Sequence, residues 1–154
     1  MENVIEARIK NPAVLLPGVM PAIQALMAAT AEGGVPQKTL GLMHLRASQI
    51  NGCHLCIDLG MGHAKSIGET DDRLIAVGGW RKAACFTPAE RAALALTEAV
   101  TELRGEDPVP DEIWNEAAKY YDEKGLAALV LSIATTNVFN RVNVTTRQTH
   151  VTWN

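Results

Sequence analysis

Turn-forming residues cut this chain into pieces of helical length, and no piece alternates polar and apolar residues as a strand would. Gly33-Gly34, Asn51-Gly52, Gly68 and the run Gly105-Glu106-Asp107-Pro108-Val109-Pro110 are the breaks. Between them the pattern predicts helices from Pro17 to Glu32, from Pro36 to Asn51, from Cys53 to about Gly68, from about Thr70, from Thr87, from Asp111 to Tyr121, and from Glu123 to well past Asn140. Thr87-Pro88-Ala89-Glu90 is a capping box, in which the Thr hydroxyl accepts from the amide three residues on and Glu90 reaches back. Thr70 is a second N-cap, followed by acidic residues that suit the positive end of a helix dipole. Leu40, Met43, Ala47 and Ile50 recur at helical spacing, as do Ala92, Leu96, Ala99 and Leu103. The expectation is an all-α chain of about seven helices, residues 1–154 forming one domain.

Composition agrees. Hydrophobic residues make up 47% and charged residues 20%, a globular balance, and the 154 residues suffice for one core. Aromatics are only 5%, while Ala and Leu, good helix formers, abound. A net charge of −3 gives no electrostatic reason to bind nucleic acid. Glu2, Glu6, Arg8 and Lys10 interrupt the place where an apolar signal core would lie. The uncharged run Gly125 to Asn140 is shorter than the ~20 residues of a membrane span and reads as a core helix. A cytoplasmic protein with neither a nucleic-acid nor a membrane partner is therefore expected. In that reducing setting three cysteines argue poorly for structural disulfides.

Cys53 and Cys56 call for another explanation. Three apart on a helix, they lie roughly 60° apart around its axis, so their sulfurs can meet at its first turn. Free amides and the dipole there stabilise a thiolate, and His54 between them adds to this when protonated. A thiolate attacks peroxides or disulfides, and its neighbour can then close a disulfide. The pair alone leaves three readings open: redox chemistry, metal binding and burial without chemistry. The metal reading needs two more ligands, for which His54, His63 and His44 are available. No second C-x-x-C or H-x-x-x-H completes a zinc signature, so no metal and no cofactor is assigned. Cys85, beside Phe86, reads as a small buried apolar residue.

The run Arg46-Ala47-Ser48-Gln49-Ile50-Asn51-Gly52-Cys53-His54-Leu55-Cys56-Ile57-Asp58 resembles the alkyl hydroperoxidase D-like (AhpD-like) branch of the carboxymuconolactone decarboxylase family. So do Gly68-Glu69-Thr70, Arg73-Leu74, Trp80-Arg81, the stretch Glu90 to Ala99, and Asn137-Val138-Phe139-Asn140-Arg141. The resemblance covers nearly the whole chain. It implies an all-α fold assembled as a homo-oligomer, trimer or hexamer, and peroxide reduction by the cysteine pair. Cys56 then attacks the peroxide, Cys53 resolves it, and a thiol or dithiol, protein or small molecule, regenerates the pair. Decarboxylase members generally lack the pair, so its presence favours the redox branch.

The chain departs from the family at the proton relay, a Glu twelve residues before the first cysteine and a His four after the second. Those positions are Gly41 and Gly60. A His follows three residues after each, His44 and His63, and helical side chains tilt toward the N-terminus. Each imidazole is therefore expected over the space of its own glycine, the two replacing the lost relay. His63 lies about 10 Å along the axis from Cys56, too far for direct contact unless it folds back or a water bridges. The other readings are ordinary polar histidines in a weak redox sensor or regulatory oligomer, a metal-binding protein, and a decarboxylase-type enzyme. Ser48, four after His44, is read as a helix-surface or buried hydroxyl. Arg46 is read as a partner for a carboxylate and Trp80 as an anchor between helices. Asn137, Asn140 and Arg141 are read as packing or subunit contacts, and Met20, Met27, Met43 and Met61 as core or interface residues.

Overall fold

Residues 5–150 are described in this computed structural model, and they form eight α-helices with no strand among them. The helices are α1 (Pro12–Leu15), α2 (Val19–Thr30), α3 (Gln37–Asn51), α4 (His54–Ser66), α5 (Asp71–Ala76), α6 (Pro88–Glu102), α7 (Asp111–Ala118) and α8 (Glu123–Thr146). Short 3-10 turns, Ala31–Gly33 and Val77–Lys82, extend α2 and α5.

The all-α expectation holds, with differences at the ends of elements. The first predicted helix starts later, at Val19, and an extra turn precedes it. The Asn11 side chain accepts from Ala13 N at 3.0 Å and caps Pro12–Leu15, which leaves Pro17 in the link. The helix expected from Thr70 is only Asp71–Ala76, because Gly78-Gly79 let the chain tighten, and Gly79 leaves helical geometry. The helix from Asp111 ends at Ala118 rather than Tyr121. Both predicted caps form: Thr87 with Glu90 as a complete capping box, and Thr70 accepting from Arg73 N.

α3 lies at the centre, packed on α4, α6 and α8. It feeds two apolar cores from adjacent positions. Met43 joins Ala92, Leu96, Leu126, Leu129 and Ile133 between α3, α6 and α8. Leu42 and Leu45 join Ala64, Leu74, Val77, Trp80 and Leu94 on the side of α4 and α5. By length and composition α8 alone among the described helices is apolar enough to cross a bilayer, yet here it packs against α2, α3 and α6 as a core helix. Its buried seam runs Leu126, Leu129, Ile133, Thr136, Asn140, Asn143, at spacings of three and four. The first half of that seam is apolar and the second half is polar. The polar half faces the cysteine end of α3 and α4.

Two ionic clusters hold the α5 region in place, and they account for several of the motif residues. Arg73 bridges Glu69 (3.0 Å) and Glu90 (2.7 Å) and donates to the Cys85 carbonyl. Glu98 accepts from Arg46 (2.9 Å), Arg81 (2.7 Å) and Trp80 Nε1 (2.9 Å). Arg46 thus has its carboxylate and buried Trp80 its anchoring role. Cys85 is a correction: it is exposed, because its turn offers its carbonyl to Arg73 and leaves the side chain outside the core. Met27, read as a core or interface residue, lies outside the core, exposed at the edge of a cavity.

Candidate active site

The site sits at the joint of α3 and α4. Gly52 ends α3 in the left-handed conformation (φ 64°), where a side chain would be strained, and reverses the chain within one residue. Cys53 follows as the N-cap of α4, its amide donating to the Ser48 carbonyl at 3.0 Å. Its Sγ accepts from the Cys56 amide at 3.3 Å, one of the donors that a helix start leaves unpaired. Cys53 and Cys56 are joined as a disulfide. Both are buried, at 2% and 3% exposure.

α8 supplies the floor. Asn140, fully buried, donates to Ser48 Oγ at 3.0 Å and accepts from Asn51 at 2.9 Å, so Ser48 is a buried hydroxyl bonded away from His44. Asn51 also donates to Asn137 Oδ1 at 2.9 Å, and Arg141 donates to the same oxygen. Asn143, one turn further, places Nδ2 3.5 Å from Cys56 Sγ. Its Oδ1 is buried with no partner among the described residues. Asn143 was missed in the sequence reading. The available signal was a polar residue on the inward seam of an otherwise apolar helix.

The histidines separate. His44 reaches from α3 to α4, with Nε2 3.1 Å from the Cys56 carbonyl oxygen and Nδ1 3.3 Å from Thr136 Oγ1. A carbonyl only accepts, so Nε2 carries the proton and Nδ1 accepts from the Thr136 hydroxyl. Burial pushes the His44 pKa down, the bond to the Cys56 carbonyl pulls it up, and His63 nearby pushes it down again; the net shift is downward. His44 is therefore a neutral imidazole of fixed tautomer. His63 is exposed and shares a cavity with it. His54 points outward, 88% exposed, 3.5 Å from Asp58.

His44 fills the gap at Gly60 rather than at its own Gly41, and no histidine fills Gly41, which corrects the expectation that each His covers its own glycine. α3 and α4 form an antiparallel hairpin, so His44 stands opposite Gly60. A Cβ built at Gly60 would lie 2.5 Å from His44 Cδ2, whereas one at Gly41 would meet only Ala64 Cβ at 3.8 Å. Gly41, Gly60, His44 and His63 line one cavity of about 300 Å³, with Leu59 and Phe139 among its apolar walls. Neither cysteine lines it. A second cavity, about 240 Å³, lies over Cys53, Asn143 and Gln148. Among the described residues no three His, Cys, Asp or Glu side chains converge as a metal-ligand set.

The chain is helical and closes a C-x-x-C disulfide at a helix start. The chain belongs to the carboxymuconolactone decarboxylase family, whose model matches residues 17–99, and to its AhpD-like branch. The uncharacterized protein YdfG of Bacillus subtilis (strain 168) is 35% identical over 115 residues, 75% of this chain and 78% of that protein. A protein of unknown function from Agrobacterium tumefaciens, suggested to be the antioxidant defence protein AhpD, is similar with a TM-score of 0.86 and 28% identity, covering 94% of this chain and 98% of that one. The debrominase Bmp8 shares the fold, with a TM-score of 0.75 and 22% identity over 86% of this chain and 71% of its own.

Proposed function

We propose that the protein is a thiol-dependent peroxidase that cycles its Cys53–Cys56 pair between dithiol and disulfide. The observation that carries this is the disulfide itself, closed at a helix N-cap with an amide on one sulfur and an amide side chain on the other. In the dithiol form those same donors favour a thiolate. The Cys56 thiolate attacks a peroxide oxygen; the S–O bond forms, the O–O bond breaks, and the alcohol leaves with a proton. Cys53 sulfur then attacks the Cys56 sulfenic acid, closing the disulfide and releasing water. A thiol or dithiol returns two electrons and two protons. His44, neutral and adjacent to the Cys56 backbone, is the proton-holding group in this reading, with His63 beside it. The working unit is a cytoplasmic homo-oligomer, trimer or hexamer, of one-domain chains.

The test is peroxide consumption with a panel of dithiol reductants, in wild type and Cys56→Ser. Turnover in wild type and its loss in the variant are expected; normal turnover in the variant overturns the assignment. One observation favours a second reading, a redox sensor that forms the disulfide without sustained turnover. Among the described residues the hydrogen bonds to the two sulfurs come from the Cys56 amide and Asn143, not from an acid or imidazole, and positions 41 and 60 are glycine. Disulfide formation by one equivalent of peroxide, with no turnover under any reductant, would select it.

A further inference from the structure

The two sulfurs of the disulfide have different surroundings. The cavity of about 240 Å³ is lined by Cys53 and not by Cys56. Cys56 Sγ lies against Nδ2 of Asn143. Two further lining residues carry buried acceptors without partners among the described residues, Asn143 Oδ1 and Gln148 Oε1. An unpaired buried acceptor costs roughly 1–3 kcal/mol, so each favours an entering N–H or O–H donor. Arg147 sits at the same cavity, while Asp58 nearby is already engaged by His54 and His150. The volume falls below the ~300–1,000 Å³ of sites that enclose a whole small molecule. It suits the thiol-bearing end of one.

We propose that this cavity is the docking site for the reductant, a small thiol bearing an amide N–H and an acidic group, and that its thiolate attacks Cys53 rather than Cys56. The proposal deepens the peroxidase reading and rests on its reductive half. The reductant sulfur bonds to Cys53 Sγ, the Cys53–Cys56 bond breaks, and Cys56 leaves with the electron pair as a thiolate. Asn143 Nδ2–H is in place to hold that charge, and a stabilised leaving thiolate departs faster. A second thiolate, from the same dithiol or another molecule, then attacks the reductant sulfur. Cys53 leaves as a thiolate at the helix N-cap, where the Cys56 amide stabilises it and solvent supplies its proton. The sum is one disulfide reduced and two thiols oxidised, and Cys56 is returned as the thiolate that the peroxide step needs.

The test uses wild-type protein oxidised with a stoichiometric diamide-type oxidant, so it does not depend on peroxide activity. The oxidised protein is mixed with N-acetylcysteine or cysteamine at equal thiolate concentration, quenched with acid, and mapped by mass spectrometry. The mixed disulfide is expected on Cys53, with N-acetylcysteine reacting about fivefold faster than the cationic cysteamine. Asn143→Leu is expected to slow the first exchange about tenfold and to raise the Cys56 thiolate pKa about one unit, read by pH-dependent alkylation of the reduced protein. Trapping on Cys56, or equal rates for the two thiols, overturns the proposal, as does an unshifted Cys56 pKa in the variant. If peroxide turnover alone fails, the peroxidase reading falls while the exchange at Cys53 stands.

Discussion

The imidazole of His44 and any side chain at residue 60 claim the same space. A Cβ on Gly60 would lie 2.5 Å from His44 Cδ2 and 2.8 Å from its Nε2. Glycine within α4 thus lets a residue of α3 reach the Cys56 carbonyl. Gly60→Ala must push the ring away and break that bond, which outweighs the ~1 kcal/mol that alanine gains over glycine in a helix. With His44→Ala already in place the clash is gone, and Gly60→Ala should stabilise by up to about 1 kcal/mol. Urea denaturation of the four proteins of this cycle gives the two signs. The same sign in both backgrounds is incompatible with the relationship.

The neutral state of His44 makes stability depend on pH. Its folded pKa lies below the ordinary 6.5 of the unfolded chain. Between those values the unfolded state binds a proton that the native state does not, so stability falls as pH falls from about 6.5 through the folded pKa. Above that window the group contributes no slope. His44→Gln should flatten this part of the profile. Denaturant midpoints measured from neutral to mildly acid pH in both proteins check it, and parallel profiles would remove His44 as the cause.

What the sequence made legible divides along the same line as local and tertiary causes. Caps at Thr70 and Thr87 are chemistry between residues three apart, and both form as read. The cysteine pair is equally local. The extra turn before Val19 escaped because its cap, Asn11, precedes the segment in which a helix was expected. The match of His44 with Gly60 depends on the antiparallel register of α3 and α4, which no single helix encodes. Cys85 was misread because small size suggests burial, while it lies in a turn whose carbonyl accepts from Arg73 and whose side chain is exposed. Asn143 could have been found: Leu126, Leu129 and Ile133 set a seam that Thr136, Asn140 and Asn143 continue, and polar residues on an inward seam need partners.

Glu98 ties α3, α6 and the turn after α5 into one unit. Burial raises its pKa, but hydrogen bonds from Trp80, Arg81 and Arg46 outweigh this and hold it below the usual carboxylate range. Its stabilising effect is present above the unfolded value of about 4.5 and is lost as pH falls through the folded pKa. Glu98→Gln keeps the shape and removes the charge. We expect a loss of about 2 kcal/mol near neutral pH, shrinking in acid, because hydrogen bonds to a charged group contribute about 1.5–3 kcal/mol. Chemical denaturation at two pH values measures it; a loss independent of pH would assign the effect to packing.

The pair His44 and His63 separates a relay from two bystanders. His63 lowers the His44 pKa by charge repulsion across their shared cavity. His63→Gln should therefore raise the His44 pKa, visible in a histidine NMR titration, without touching the His44 bond to the Cys56 carbonyl. If His44 holds the proton in peroxide turnover, the pH–rate profile of His63→Gln should move in the same direction as that titration. His44→Gln should then cost about a hundredfold in rate, the lower end of what a positioned acid or base contributes. A titration that shifts while the rate profile stays fixed would show that the two histidines feel each other electrostatically and take no part in the chemistry. The proton for the departing alcohol would then come from solvent, and the glycines at 41 and 60 would mark a lost relay rather than a relocated one.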